Sequence, residues 1–199
     1  MNGIDALVEK AKKYKERGLK EKEIAVELNI SPDTVTWLLT RDIKEKKPPV
    51  DVQIDWESIG VYGTRIGFLA SIFSDLILEE MRKMDEDFEV VVGVAINGIP
   101  LAVLISEHLG KELAIYRPGE KERSRGGGAF SSNYTNVDGK KVIIIDDVVS
   151  TGETMEGAIT DVEEEGGEPV LSVVTVKKNN KSEIMGVPLT SLINARPIG

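Results

Sequence analysis

The stretch Val142-Ile-Ile-Ile-Asp-Asp-Val-Val-Ser-Thr-Gly-Glu-Thr154 decides the fold of this 199-residue chain. Val142 to Ile145 is a short, β-branched run without polar alternation, the pattern of a central strand buried on both faces of a parallel sheet. Beyond Thr154, Met155, Ala158, Ile159 and Val162 recur at helical spacing, so the polar residues between occupy a strand-to-helix turn. Such a turn offers free backbone N–H groups and the positive end of a helix dipole to an anion. Asp146 and Asp147, at the carboxyl end of the strand, are acceptors for two neighbouring hydroxyls. Together these groups describe a cradle for a ribose 5-phosphate. Two aspartates after a strand also serve simply to cap the next helix; strand, acid pair, hydroxyl-glycine turn and amphipathic helix occurring together favour the cradle.

The segment resembles the phosphoribosyl pyrophosphate signature of the type I phosphoribosyltransferases: four hydrophobic, two acidic and seven mostly small residues. The resemblance implies that Asp146 and Asp147 hold the ribose hydroxyls and that Ser150, Thr151, Gly152, Glu153 and Thr154 wrap the 5-phosphate, with Mg2+ accompanying the ligand.

A second segment, Val90-Val-Val-Gly-Val-Ala-Ile-Asn-Gly-Ile-Pro-Leu-Ala102, is again an apolar strand, a small turn and a helix with Pro100 in its first turn. By itself it is also an ordinary strand-turn-helix of an α/β sheet. It is similar to the pyrophosphate loop of the same family, and Gly98 to Ala102 resembles the orotate phosphoribosyltransferase branch. The resemblance gives Ala95, Ile96, Asn97 and Gly98 to the pyrophosphate, with Gly98 permitting close backbone approach.

The chain departs from the enzymes in Arg117-Pro-Gly-Glu-Lys-Glu-Arg-Ser-Arg-Gly-Gly-Gly128, which stands where the family carries its catalytic lid. The enzymes' lid has an Arg-Lys pair, a further Lys and a His. In this chain Pro118 follows Arg117, Lys121 stands near the place of the further lysine, and the lid histidine is missing. The single histidine, His108, falls late on a helix, where an imidazole is most often structural. Arg117 and Lys121, with Arg123 and Arg125, retain charge for a pyrophosphate, so binding is better supported than turnover.

Composition fits a soluble chain of one main domain and a small appendage: 41% hydrophobic, 30% charged, with no run of 18 or more apolar residues. The start lacks a signal-peptide profile, from which a cytoplasmic location and no membrane partner are expected. The absence of cysteine excludes disulfides, thiolate catalysis and cysteine zinc sites, and one histidine excludes a His-rich metal centre. Charge is uneven. Residues 1–47 hold 11 Lys or Arg against 9 Asp or Glu, net +2, leaving −11 on the rest of a chain whose total is −9.

The first 47 residues read as three helices. Ile4, Leu7, Val8, Ala11 and Tyr14 form an apolar stripe ending near Gly18. Lys20 to Leu28 makes a second helix, Asn29-Ile30 turns the chain, and Ser31-Pro32 opens a third as N-cap and first helical residue. Val35, Leu38 and Leu39 face inward, leaving Asp33, Thr34, Thr36, Trp37 and Arg41 outward. The arrangement resembles a helix-turn-helix, which implies duplex DNA as partner. Thr34, Thr36, Trp37 and Arg41 then face bases or phosphates, and Lys20, Lys22 and the lysines of 44–47 follow the backbone. A three-helix cap or dimerisation element is the alternative. The weak net charge of the head calls for a homodimer to reach useful affinity.

Lys46-Lys47-Pro48-Pro49 breaks the helical pattern and places the boundary. The expected organisation is a helix-turn-helix domain over 1–47, a linker over 48–60, of which residues 50–60 form an edge strand or, in a winged variant, lie near the head, and an effector-binding domain over 61–199. In the last, a long helix from Val61 to Met84 precedes strands at 90–94, 113–116, 142–145, 170–176 and 189–193 that alternate with helices. The expected fold is α/β, a mostly parallel sheet flanked by helices as in the type I phosphoribosyltransferases, with a small all-α head. Nearly the whole chain resembles archaeal orotate-phosphoribosyltransferase-like transcriptional regulators, a family linked to control of central sugar catabolism. Two classes of function stay open: a DNA-binding regulator sensing phosphoribosyl pyrophosphate or a related nucleotide, in control of sugar or nucleotide metabolism, and an active orotate or purine phosphoribosyltransferase with an accessory head. The altered lid favours the regulator.

Overall fold

A computed structural model describes residues 3–40, 49–119 and 127–195. It divides into two compact units, one built on the first 58 residues and one spanning Ile59–Asn194.

The first unit is helical. Helices α1 (Gly3–Glu16), α2 (Glu21–Leu28) and α3 (Pro32–Leu39) enclose a core of Val8, Ala11, Ile24, Ala25, Leu28, Ile30, Val35 and Leu38. Local chemistry sets each boundary. The Glu23 carboxylate accepts from the Lys20 backbone N–H at 2.7 Å, closing the start of α2. Asn29, at φ 51°, takes the left-handed conformation that ends it, a position where Asn is the usual substitute for Gly. Ser31 Oγ accepts from Thr34 N–H at 3.2 Å, and Pro32 starts α3 without wasting a donor. Residues 49–56, expected as linker, form no strand. Asp51 instead accepts from Ser31 N–H at 2.6 Å and Thr34 Oγ1 at 2.9 Å, so this segment belongs to the head. The division between units falls within the one-turn helix α4 (Glu57–Gly60), inside the expected linker.

The second unit opens with α5 (Gly63–Met84), two residues later than expected, whose stripe Ala70, Phe73, Ile77 and Met81 is buried. There follow β1 (Val90–Val94), α6 (Gly98–Leu109), β2 (Glu112–Arg117), β3 (Ala129–Phe130), β4 (Lys141–Val149), α7 (Glu153–Glu164), β5 (Glu168–Lys177), β6 (Glu183–Ile184) and β7 (Val187–Asn194). The strand order is β3-β2-β1-β4-β5-β7-β6. The five inner strands run parallel, while β3 and β6 are antiparallel edges. The short edges cap a sheet that would otherwise leave pairing groups open.

Two corrections follow. β4 does not stop at Ile145 but continues through the acid pair to Val149, because β5 runs alongside it as far as Lys177. No helix joins β5 to β7; the connection is a loop and the small β6 strand, which pairs back on β7.

The topology positions the site. From β1 the chain moves through α6 to β2 on one side, then returns to β4 on the other. Helix α6 packs with α5 on one face of the sheet, and α7 packs on the opposite face against Val142, Ile144 and Val174. The strand order therefore reverses between β1 and β4, which parts the two helix starts and opens a crevice at the strands' carboxyl ends. β1 ends level with the acid pair, since Gly93 lies opposite Ile145. Beyond that point β4 has a neighbour on one edge only.

Candidate functional site

Asp146 and Asp147 sit in this crevice, 8% and 5% exposed. Asp146 Oδ1 accepts from Asp147 N–H at 2.8 Å, and Asp147 Oδ1 accepts from Val148 N–H at 2.8 Å. Burial, reinforced by the Asp147 carboxylate beside it, holds the Asp146 carboxyl well above the usual carboxylate range. Two acids sharing so dry a place are poised for ligands that donate hydrogen bonds or bring a cation.

The loop after β1 closes on the same pair. Asn97 Nδ2 donates to Asp147 Oδ2 at 2.9 Å, so this residue, assigned to the pyrophosphate, also orients the acid pair. Gly98 is buried against β4: a Cβ there would lie 2.4 Å from the Ile145 carbonyl oxygen. Any other residue would push α6 off the strand. Ala95 N–H donates to the Tyr116 carbonyl at 2.8 Å, while Ile96 is exposed.

Beyond the end of β4, residues 150–154 form the expected turn into α7. Thr151 Oγ1 accepts from Glu153 N–H at 3.3 Å, and Glu156 N–H donates to the Gly152 carbonyl at 2.8 Å, starting α7. Gly152 is at φ 100°, a conformation that disfavours any side chain. Ser150 is half-buried, and Thr151, Glu153 and Thr154 are exposed. The structure thus brings Asn97, Gly98, Asp146, Asp147 and the 150–154 turn to one sheet edge.

Arg117 lies exposed at the end of β2, paired with Ala129. Lys121, Arg123 and Arg125 lie outside the described residues. His108 contacts Ser74 of α5 at 3.4 Å, at the far end of α6 from the crevice.

Sequence reasoning missed Asp161, Asn179 and Lys181, the last of which pairs with Glu156 Oε1 at 2.9 Å in the first turns of α7. Asp161, 4% exposed on α7, accepts from Tyr116 Oη at 2.9 Å and from Gly128 N–H at 2.7 Å. Burial, with Asp161 as acceptor, pushes the Tyr116 phenol up from its ordinary value. Asn179 Nδ2 donates to the Ser150 carbonyl at 2.8 Å. Only the buried Asp161 carried a signal, an acid bordering the apolar stripe of α7; Asn179 and Lys181 sit in a polar run that reads as an ordinary loop.

In the head, Lys20 is exposed at the start of α2. Thr36 is exposed, but its hydroxyl donates to Glu21 Oε2 at 2.9 Å. Two residues differ from the outward placement expected of them. Thr34 is half-buried with its hydroxyl engaged by Asp51, and Trp37 packs against the three-helix core, because short helices need its ring to close their apolar surface. Arg41 and the lysines of 44–47 lie outside the described residues.

Among the described residues no helix is long and apolar enough to cross a membrane, and no group of three or more His, Cys, Asp or Glu is placed to hold a metal by itself.

This crevice, at the switch point of a mostly parallel sheet, is that of a phosphoribosyltransferase-type domain, and the phosphoribosyl transferase domain family matches residues 68–184. In fold the chain is similar to the orotate phosphoribosyltransferase of Mycobacterium tuberculosis H37Rv in complex with 5-phospho-alpha-D-ribosyl 1-diphosphate. The TM-score is 0.56 at 20% identity, over 71% of this chain and 80% of that one. Among whole-length relatives, the transcriptional regulator GfcR of Thermoplasma acidophilum is 47% identical over 100% of this chain and 99% of its own. That of Picrophilus torridus is 46% identical over 97% of both. The chain belongs to this family of GfcR transcriptional regulators, and it carries the family's phosphoribosyltransferase domain behind a helical head.

Proposed function

We propose that the chain binds duplex DNA through its head and takes phosphoribosyl pyrophosphate, or a nucleotide sharing its ribose 5-phosphate, as effector in the crevice. The observation that carries this reading is the buried pair Asp146 and Asp147 near the carboxyl end of β4, followed directly by the 150–154 turn, at the place where two helix starts diverge. Two carboxylates on one side accept from vicinal hydroxyls; backbone N–H groups and hydroxyls on the other suit a phosphate. The residues also fit Mg2+ arriving with the ligand, since that ion keeps most of its shell from phosphate oxygens and water and needs only one or two carboxylates. When bound it neutralises pyrophosphate charge. Asp146 and Asp147 would hold it together with the ribose, and Asn97 fixes how Asp147 faces them.

The lid argues for sensing over turnover. Pro118 stands in place of a lysine and no histidine follows it, so the groups that draw off a departing pyrophosphate are depleted. DNA reading is supported by the three-helix head, with Lys20 exposed at the start of α2 and Thr36 exposed on α3. One head makes few contacts, so the functional species is a homodimer presenting two α3 helices about 34 Å apart to successive major grooves. The effector acts by binding two dimer arrangements unequally.

The test is a titration of the full chain against the promoter fragment of its own gene, with and without phosphoribosyl pyrophosphate and Mg2+, alongside calorimetry with that ligand and a product assay with orotate and purines. Saturable ligand binding, a ligand-dependent shift in DNA affinity and no nucleotide product are expected. Robust nucleotide synthesis would replace the regulator by the enzyme.

A further inference from the structure

The loop between β5 and β6 is bolted onto the 150–154 turn. Lys178 N–H donates to the Val149 carbonyl at 2.8 Å and Asn179 Nδ2 to the Ser150 carbonyl at 2.8 Å. Lys181 is then fixed from both sides: its N–H donates to Asn179 Oδ1 at 3.1 Å, and its carbonyl accepts from Lys177 Nζ at 2.9 Å. This scaffold directs the Lys181 ammonium over Gly152, where a Cβ would meet Ile184 Cδ1 at 3.3 Å and Lys181 Nζ at 3.4 Å. The same ammonium pairs with Glu156 Oε1 at 2.9 Å, in the first turns of α7.

We propose that Lys181 is a phosphate-binding residue, held in reserve by Glu156 and shared with a phosphomonoester when one enters the 150–154 turn. The inference rests on the phosphoribosyl reading of that turn. Its warrant is charge. Glu153 and Glu156 place two carboxylates at the start of α7, where they favour the helix dipole but oppose an incoming phosphate. Lys181 is a cation that offsets the Glu156 carboxylate. Its pair with Glu156 is about half exposed on both sides, 45% and 43%, so it is weakly held and readily shared. A phosphate, with greater charge and three acceptor oxygens, offers the ammonium a stronger partner than one carboxylate. The fixed backbone of residues 178–181 means that only side-chain torsions change.

The experiment is calorimetry on the full chain with ribose 5-phosphate and, separately, inorganic pyrophosphate. Lys181→Met is expected to weaken ribose 5-phosphate at least about tenfold, the scale of one lost charge-assisted hydrogen bond. Pyrophosphate affinity should stay unchanged. Lys181→Arg should stay within about threefold of wild type, because the charge is retained. Adding Glu156→Gln to Lys181→Met should restore part of the loss, since the uncompensated carboxylate is then gone. Wild-type-like binding by Lys181→Met, or an equal loss for both ligands, overturns the proposal. If the wild-type chain binds neither ribose 5-phosphate nor phosphoribosyl pyrophosphate, the reading of the turn falls and this inference falls with it.

Discussion

Asn97 Nδ2 donates to Asp147 Oδ2 at 2.9 Å, across 50 residues of sequence and across the gap where β1 has ended and β4 continues. The bond joins the loop after β1 to the end of β4, so a side chain in the loop sets the acceptor that the strand presents. Asn97→Ala should lower phosphoribosyl pyrophosphate affinity about five- to twentyfold by freeing Asp147, with little change in thermal midpoint because Asn97 is half-buried and Asp147 keeps its bond from Val148 N–H. Parallel calorimetry and thermal melts check this; an unchanged affinity would mean that Asp147 is oriented by its own strand alone.

Asp146 ties ligand binding to pH. Burial and then the Asp147 charge raise its folded-state value, so between the ordinary carboxylate range and that raised value the folded protein holds a proton that the unfolded chain has lost. Stability therefore falls as pH rises through this window, the reverse of the usual paired carboxylate. Asp146→Asn should raise the melting temperature at neutral pH, since an amide keeps the acceptor for Asp147 N–H without the buried charge. The same change should abolish phosphoribosyl pyrophosphate binding. Hydroxyl donors and Mg2+ favour the ionised form, so wild-type affinity should climb with pH across the window and binding should release protons. Calorimetry in two buffers of different ionisation enthalpy counts them.

Asp161 accepts from both Tyr116 Oη and Gly128 N–H, fastening the β2–β3 stem to the helix that starts at Gly152. Asp161→Ala leaves both donors without that acceptor and should cost about 1–3 kcal/mol for each, whereas Tyr116→Phe should cost about 1 kcal/mol. Urea unfolding of the two variants and their double gives the coupling. Additive losses would show that the Tyr116–Asp161 bond contributes no coupling.

In the head, Asp51 accepts from Ser31 N–H and Thr34 Oγ1 at the start of α3. Asp51→Ala should destabilise that helix by about 1–2 kcal/mol, the scale of a lost N-cap. Amide exchange at 33–36 should quicken, and DNA affinity should fall through the loss of a preformed α3. Exchange unchanged from wild type would assign the capping to Ser31 alone.

Periodicity and punctuation alone determined the three head helices, the central parallel strands and the hydroxyl-glycine turn at residues 150–154. Each is set by interactions a few residues apart: Ser31 before Pro32, the apolar run at 142–145, the stripe from Met155 to Val162. Tertiary structure decided what depends on distant partners. β4 extends through the acid pair only because β5 runs beside it. Asp51 belongs to the head only because α3 offers two donors. Asn97 reaches Asp147, Tyr116 reaches Asp161, and Lys181 stands over Gly152 only after the strand order reverses and the β5–β6 loop folds back. No spacing rule encodes those meetings, because the residues approach through sheet pairing and helix packing rather than along the chain.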